Sequence, residues 1–336
     1  MSHYAYGYCG MPCALCTRCR TEGSSRCPGC SCDGYYTVPC KVHRCVREKG
    51  LDHCGQCGDF PCPKLGKMGD FRDLDTGRVK ERTCQAVAAE GGISLAGCEI
   101  VDAPHSHAAA AAAACMAGKG EVQALMKGSL HTDELMAVVV AADGGLRTKR
   151  RVSHCFVMQT PAYPRPFIIT DAAINIAPTL EHKADIVRNA IDLAHAIGVA
   201  EPRVAILAAV ETVNAGMPAT LDAAALCKMA DRGQITGGLL DGPLAFDNAV
   251  SIAAARTKGI VSDVAGRADI LVVPDLESGN MLAKQLEYLG EAATAGIVLG
   301  ARVPIVLTSR ADSRETRLAS CAVGVLLAHH YKGAPL

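Results

Sequence analysis

Short runs of consecutive apolar residues alternate along this chain with longer segments whose apolar positions return every three or four residues. "VAILAAV" (Val204–Val210), "ILVVP" (Ile270–Pro274) and "PIVLTS" (Pro304–Ser309) belong to the first kind and predict strands buried on both faces. "HKADIVRNAIDLAHAIG" belongs to the second. Ile186, Val187, Ala190, Ile191, Ala194 and Ile197 fall on one helical face there, and Gly198 is a plausible stop. Strand and helix alternating in this way predict βαβ units and a mostly parallel sheet. In such sheets ligands bind beyond the carboxyl ends of the strands. Ser309 and Arg310 stand at one such end, where a hydroxyl and a guanidinium meet the solvent.

That α/β pattern begins only near Cys84. Residues 1–65 are rich in Cys, Gly, Pro and Tyr, and 66–83 are charged, without periodicity, and read as a linker. Of the 336 residues 49% are hydrophobic, but only 4% are aromatic and none is Trp, so the cores are built from Ala, Val, Ile and Leu. Lys+Arg and Asp+Glu balance at 34 each, which argues against nucleic-acid and membrane-surface partners. No stretch predicts a signal peptide or a membrane span, and a cytoplasmic location is expected. The run Ala108–Ala114 is a helix signal.

Cysteine is the outlier. Of 18 cysteines, 12 lie in the head: Cys9, Cys13, Cys16, Cys19, Cys27, Cys30, Cys32, Cys40, Cys45, Cys54, Cys57 and Cys62. Cys-x2-Cys recurs at 13/16, 16/19, 27/30 and 54/57, a spacing that lets a tight turn aim two thiolates at one tetrahedral ion. In a reducing compartment this predicts metal ligation, zinc first. An iron–sulfur cluster is the alternative, although the cysteine expected three residues after Cys19 is absent.

Several loops carry candidate chemistry, each with a plainer reading beside it. In "PDLESGN", Asp275, Gly279 and Asn280 surround a helix start that could hold an anion, or that could be a turn capped by Ser278. In "TSRADSRE", Arg310 suits phosphate, while Asp312 and Glu315 fit a capping pair. In "LMKGSLHTDE", Lys127, Ser129 and His131 precede a helix capped by Thr132 or Asp133. "LRTKRR", with Arg147, reads as a solvated basic loop or a polyanion pocket, and His105 and His107 as structural residues.

Taken together and in order, "IVDAPHSHAA", "ALMKGSLHTDELM", "ITDAAINIAP", "MPATLDAAALCKMADRGQITGGLLDGPLAFDNAVS", "VAGRADILVVPDLESGNMLAKQL" and "AGIVLGARVPIVLTSRADS" resemble the phosphate acetyl/butyryltransferase (phosphotransacylase) family, over about 88–331. The likeness is strongest to its butyryl branch, or to the acyltransferase half of bifunctional enoyl-CoA hydratase/phosphate acetyltransferases. It implies two α/β domains flanking a cleft, like isocitrate and isopropylmalate dehydrogenases: 84–151 with 302–333, and 152–301. The first would lack its usual first strand–helix–strand unit. It further implies reversible acyl transfer between coenzyme A and phosphate, and a homodimer. Catalysis would fall to Ser309, Arg310 and Asp312. Acyl-CoA and phosphate would be held by Lys127, Ser129, His131, Arg147, Asp241, Asp275, Gly279 and Asn280. "YCGMPCALC", "CPGC" and "CVREKGLDHCGQCGDFPCPKL" resemble a small prokaryotic cysteine-rich family without assigned function, over 6–65. A CoA- or phosphate-binding regulator with a metal- or redox-sensing head is the alternative function.

Overall fold

The computed structural model describes Ser94, 97–128, 130–141, 145–309 and 312–335. The cysteine-rich head with its 12 expected metal ligands, the linker 66–83, Ser129 and Arg310 lie outside the described residues. The chain divides into two units, Met1–Val101 and Asp102–Leu336. In the first, the described residues 97–101 are exposed and outside regular structure.

The second unit is a mixed α/β structure around an eight-stranded sheet. The alanine run forms α1 (Ser106–Gly118), capped by His105, whose Nδ1 accepts the Ala108 N–H at 3.1 Å. β1 (Leu125–Met126) and α2 (Thr132–Val139) follow. Next come β2 (Ser153–Gln159), β3 (Phe167–Thr170), α3 (Leu180–Ala196), β4 (Arg203–Leu207), α4 (Pro218–Asp231) and β5 (Leu239–Leu244). Then come α5 (Phe246–Val250), α6 (Ile252–Thr257), β6 (Ile270–Val272), α7 (Leu276–Leu289), β7 (Ala293–Leu299), β8 (Ile305–Val306) and α8 (Arg314–Gly333). The three expected strands are all present, two or more residues shorter than their apolar runs. α3 buries its expected face, and Gly198 beyond its end has φ +95°.

The strand order is β1-β8-β7-β2-β3-β6-β4-β5. β3, β6, β4 and β5 are parallel to one another, as are β1 and β8. The long strands β2 and β7 join the two groups antiparallel, with Cys155 opposite Ile297 and Thr170. β8 therefore runs opposite to β3 and β6. Both sequence segments expected as separate domains contribute to this one sheet, and β1 is one of its edges among the described residues.

Neighbouring residues on each strand enter different cores, as the pleat requires. Ile168, Ile270, Ile297 and Val306 join α3, α4 and α8 in one cluster that runs across the whole first face. The second face is divided. Ile169, Leu271 and Met158 pack under α5, α6 and α7. Val152, Val298, Ile305 and Leu307 pack with α1 and α2. Each large aliphatic side chain buried in this way contributes about 1.5–3 kcal/mol. Between the two clusters, on the second face of β2 and β7, lie His154, Gly296 and Thr294, which belong to neither.

Candidate active site

β1 and β8 end side by side. Met126 is level with Val306, and the next link of the pair is the Lys127 N–H on the Val306 carbonyl at 2.9 Å. The loops that follow begin at Lys127 and at Leu307, so Lys127, His131, Ser309 and Asp312 are carried by neighbouring carboxyl-end loops. Ser129 and Arg310 belong to the same two loops by sequence.

Lys127 is 6% exposed. Its ammonium donates to the Gly128 carbonyl at 3.1 Å and the Leu130 carbonyl at 3.2 Å. An ammonium has three protons, and no carboxylate pairs with this one among the described residues. A buried cation held by carbonyls alone is costly to desolvate and is suited to an incoming anion. His131 stands at the N-cap of α2 without a side-chain bond there, and neither Thr132 nor Asp133 is the cap.

The Asp312 carboxylate accepts the Ser309 N–H at 2.7 Å, and the Ser309 carbonyl accepts the Asp312 N–H at 3.3 Å. Asp312 does not cap α8, as its spacing from Glu315 had led one to expect. Ser313 does so through Oγ and the Thr316 N–H at 3.1 Å. The carboxylate is thereby turned back on Ser309, at the strand end.

The second expected group sits at the carboxyl end of β6. Asp275, not Ser278, caps α7, its Oδ1 accepting the Ser278 N–H at 2.9 Å and the Ser278 hydroxyl at 2.8 Å. A carboxylate already neutralises this helix start, so a phosphate there would meet like charge. The Asn280 amide donates to the Ala172 carbonyl at 3.1 Å. Gly279 is required by packing: a Cβ would stand 2.7 Å from Val273 and 2.9 Å from the Asp171 carbonyl. Gly279 and Asn280 fasten the loop after β3. Asp171, 2% exposed, organises that loop by accepting the N–H groups of Ala173, Ile174 and Asn175 at 3.0–3.1 Å. Burial raises its carboxyl above the ordinary range and these hydrogen bonds pull it back.

Because β8 and β6 point opposite ways, Ser309 and Asp275 leave the sheet in opposite directions. α7 runs back along the second face, and Asp312 acts electrostatically on its Lys284. Burial depresses that ammonium, and Glu287 at 2.7 Å, Tyr288 and Asp312 outweigh it, so the net shift is upward. Two expected residues lie apart. Arg147 bridges Ala301, beyond β7 and at the amino end of β8, and is exposed. Its neighbours Arg150 and Arg151 pair with Asp192 and with Asn175. Asp241 is on β5, the far edge of the sheet, and accepts its own neighbour's Gly242 N–H at 2.8 Å.

His154 went unnoticed in the sequence. It is 1% exposed, and burial holds its pKa at about 3, so the ring is neutral. It stacks edge-on against Phe156, with centroids 4.4 Å apart. Its Nε2 lies 3.2 Å from the point where Gly296 would carry a Cβ, and the Leu307 carbonyl lies 2.8 Å from the same point. Its Nδ1 is fully enclosed and has no hydrogen-bond partner among the described residues. No group of three or more metal-ligating side chains exists among the described residues, and none of their helices is long and apolar enough to cross a membrane.

The model of the family described as "Phosphate acetyl/butaryl transferase" matches residues 78–325. The chain belongs to this family. Phosphate acetyltransferase of Rhizobium meliloti is 60% identical over 280 residues, which are 82% of this chain and 89% of that one. Phosphate butyryltransferase of Clostridium acetobutylicum is 44% identical over 243 residues, 72% of this chain and 81% of that one. Among solved structures, a branched-chain phosphotransacylase from Enterococcus faecalis superposes with a TM-score of 0.63 at 35% identity, over 68% of this chain and 82% of that one. The protein is an acyltransferase that moves an acyl group between coenzyme A and phosphate.

Proposed function

We propose that the paired loops after β1 and β8 are the transfer site, and that acetyl is the preferred acyl group. The observation that carries the first part is the buried Lys127 ammonium, paired with no carboxylate among the described residues, beside a Ser309 whose N–H is bound by Asp312. The second part rests on 60% identity to an acetyltransferase against 44% to a butyryltransferase, which favours the acetyl side of the two expected likenesses.

In the direction of acyl-CoA formation, the Asp312 carboxylate takes the thiol proton of CoA. A free thiol has a pKa near 8.5, so a positioned base raises its thiolate fraction. The sulfur attacks the acyl-phosphate carbonyl carbon, the Ser309 hydroxyl donates to the developing oxyanion, and the carbon–oxygen bond to phosphate breaks. Lys127 and Arg310 bind the departing phosphate. In reverse, a phosphate oxygen attacks the thioester and the leaving thiolate recovers the proton from Asp312. The divided second face of the sheet supports a cleft between two α/β lobes, floored by β2 and β7. A homodimer in the cytoplasm, with zinc held by the head's Cys-x2-Cys pairs, completes the reading. Metal analysis of the purified protein checks the last point: zinc in stoichiometric amount agrees with it, and iron contradicts it.

The test is phosphate-dependent release of free thiol from acetyl-CoA and butyryl-CoA. Release that requires phosphate and is faster with acetyl-CoA supports the proposal. Faster release from butyryl-CoA overturns the acyl assignment, and no phosphate dependence overturns the site.

A further inference from the structure

His154 stands where the reaction proposed above has no role for it, and its environment is unusual. Nearly all buried polar groups in folded proteins have a hydrogen-bond partner, and those without one call for an explanation. Here the imidazole Nδ1 is fully buried and has no partner among the described residues. The ring lies on the second face of the sheet, between the core under α5–α7 and the core under α1 and α2. Across the strand pair, Phe156 faces Gly296 and Met158 faces Thr294, so the missing side chain at Gly296 leaves the imidazole edge next to β8. Nε2 and the Leu307 carbonyl flank one point, and Ser309 lies two residues further along the same strand end. Thr170 Oγ1 donates to the His154 carbonyl at 2.9 Å, which fixes the backbone beneath the ring.

We propose that His154 is a further substrate-contacting residue of the transfer reaction, an uncharged N–H donor to an oxygen of the acyl or phosphate group bound between the two cores. The inference rests on the site proposed above. A neutral imidazole has one donor and one acceptor nitrogen, and burial keeps this one neutral throughout the working range. It can thus polarise a carbonyl or hold a phosphate oxygen without adding a charge that would have to be desolvated. Packing alone gives no reason for a ring nitrogen here, since Phe156 shows that the same face accepts a phenyl ring.

The experiment compares wild type, His154→Phe and His154→Gln in initial rates of phosphate-dependent transfer. It adds a nitrogen-15 NMR titration of the wild-type histidine rings with inorganic phosphate and with CoA. The wild-type rate comes first: without phosphate-dependent transfer the underlying function fails, and the titration still reports contact. With transfer present, His154→Phe is expected to keep its melting temperature and lose at least about tenfold in kcat. His154→Gln, which retains a donor, recovers part of that loss. The His154 ring signals shift when phosphate or CoA is added. Wild-type kcat in His154→Phe overturns the proposal. So do ring signals unmoved by both ligands, whether or not the variants fold.

Discussion

The Asp312 carboxylate and the Ser309 N–H are joined at 2.7 Å, while the cap of α8 is left to Ser313. This separates two properties that usually travel together. Asp312→Asn preserves shape and removes the charge. Its kcat should fall about 100-fold or more, the range of a lost general base, with the melting temperature nearly unchanged. Ser313→Ala should do the reverse, with near-normal kcat and a stability loss of about 1 kcal/mol from the missing cap. Steady-state rates and denaturant titrations on the two variants check both halves.

Gly279 should be intolerant of any side chain. A Cβ at this position would press on Val273 and on the Asp171 carbonyl, both within 3 Å. One contact is with a methyl of the buried Val273 side chain and the other with the backbone of the β3 end, and neither yields cheaply. Gly279→Ala is expected to cost about 1–3 kcal/mol, the usual range for overpacking. Asn280→Ala should cost less, about 1 kcal/mol for one hydrogen bond, since only the Ala172 carbonyl loses its donor. Urea unfolding midpoints rank the two.

His154 predicts an acid limb in stability. Unfolded, its imidazole binds a proton near pH 6.5; folded, it does so only near pH 3. Below about pH 6.5 the unfolded chain therefore holds the extra proton. The contribution is complete above that pH and is lost progressively as pH falls toward 3, at about 1.4 kcal/mol per unit where the difference is one proton. His154→Phe should flatten this limb without altering stability at pH 8. Denaturant melts between pH 4.5 and 8 measure the slope, and an unchanged slope in the variant rules the account out.

The parts of the fold that were legible in the sequence are those decided locally. The runs at 204–210, 270–274 and 304–309 are apolar on both sides and contain a strand each. The alanine run and the face of α3 follow from helical periodicity. Caps were less legible. Asp275 and Ser278, or Asp312 and Ser313, are equally good by residue type, and the tertiary turn of the backbone decides which one caps. Strand direction was not legible at all. That β8 opposes β6 depends on pairing with β7 and β2, residues far away in sequence, and it is what parts Ser309 from Asp275.

What the sequence offered for the proposed site was its place at strand ends. Lys127, Ser309 and Asp312 were expected at the site from the family resemblance, not from their loops alone, and the structure brings the loops that carry them together. Asp241 shares the family's pattern but lies on the outermost strand β5. His154 was hidden because "SHCFVMQ" reads as an interior strand in which one histidine is unremarkable. Only burial without a partner marks it, and a sequence does not carry that signal.

The central claim is that the loops after β1 and β8 form one anion-binding site around Lys127. The measurement that tests it most directly is the phosphate dependence of thiol release in wild type and in Lys127→Met. The account predicts a rise in KM for phosphate of about tenfold or more, the loss expected for a hydrogen bond to a charged group, with the KM for acetyl-CoA unchanged. An unaltered phosphate KM in a folded Lys127→Met variant would contradict it.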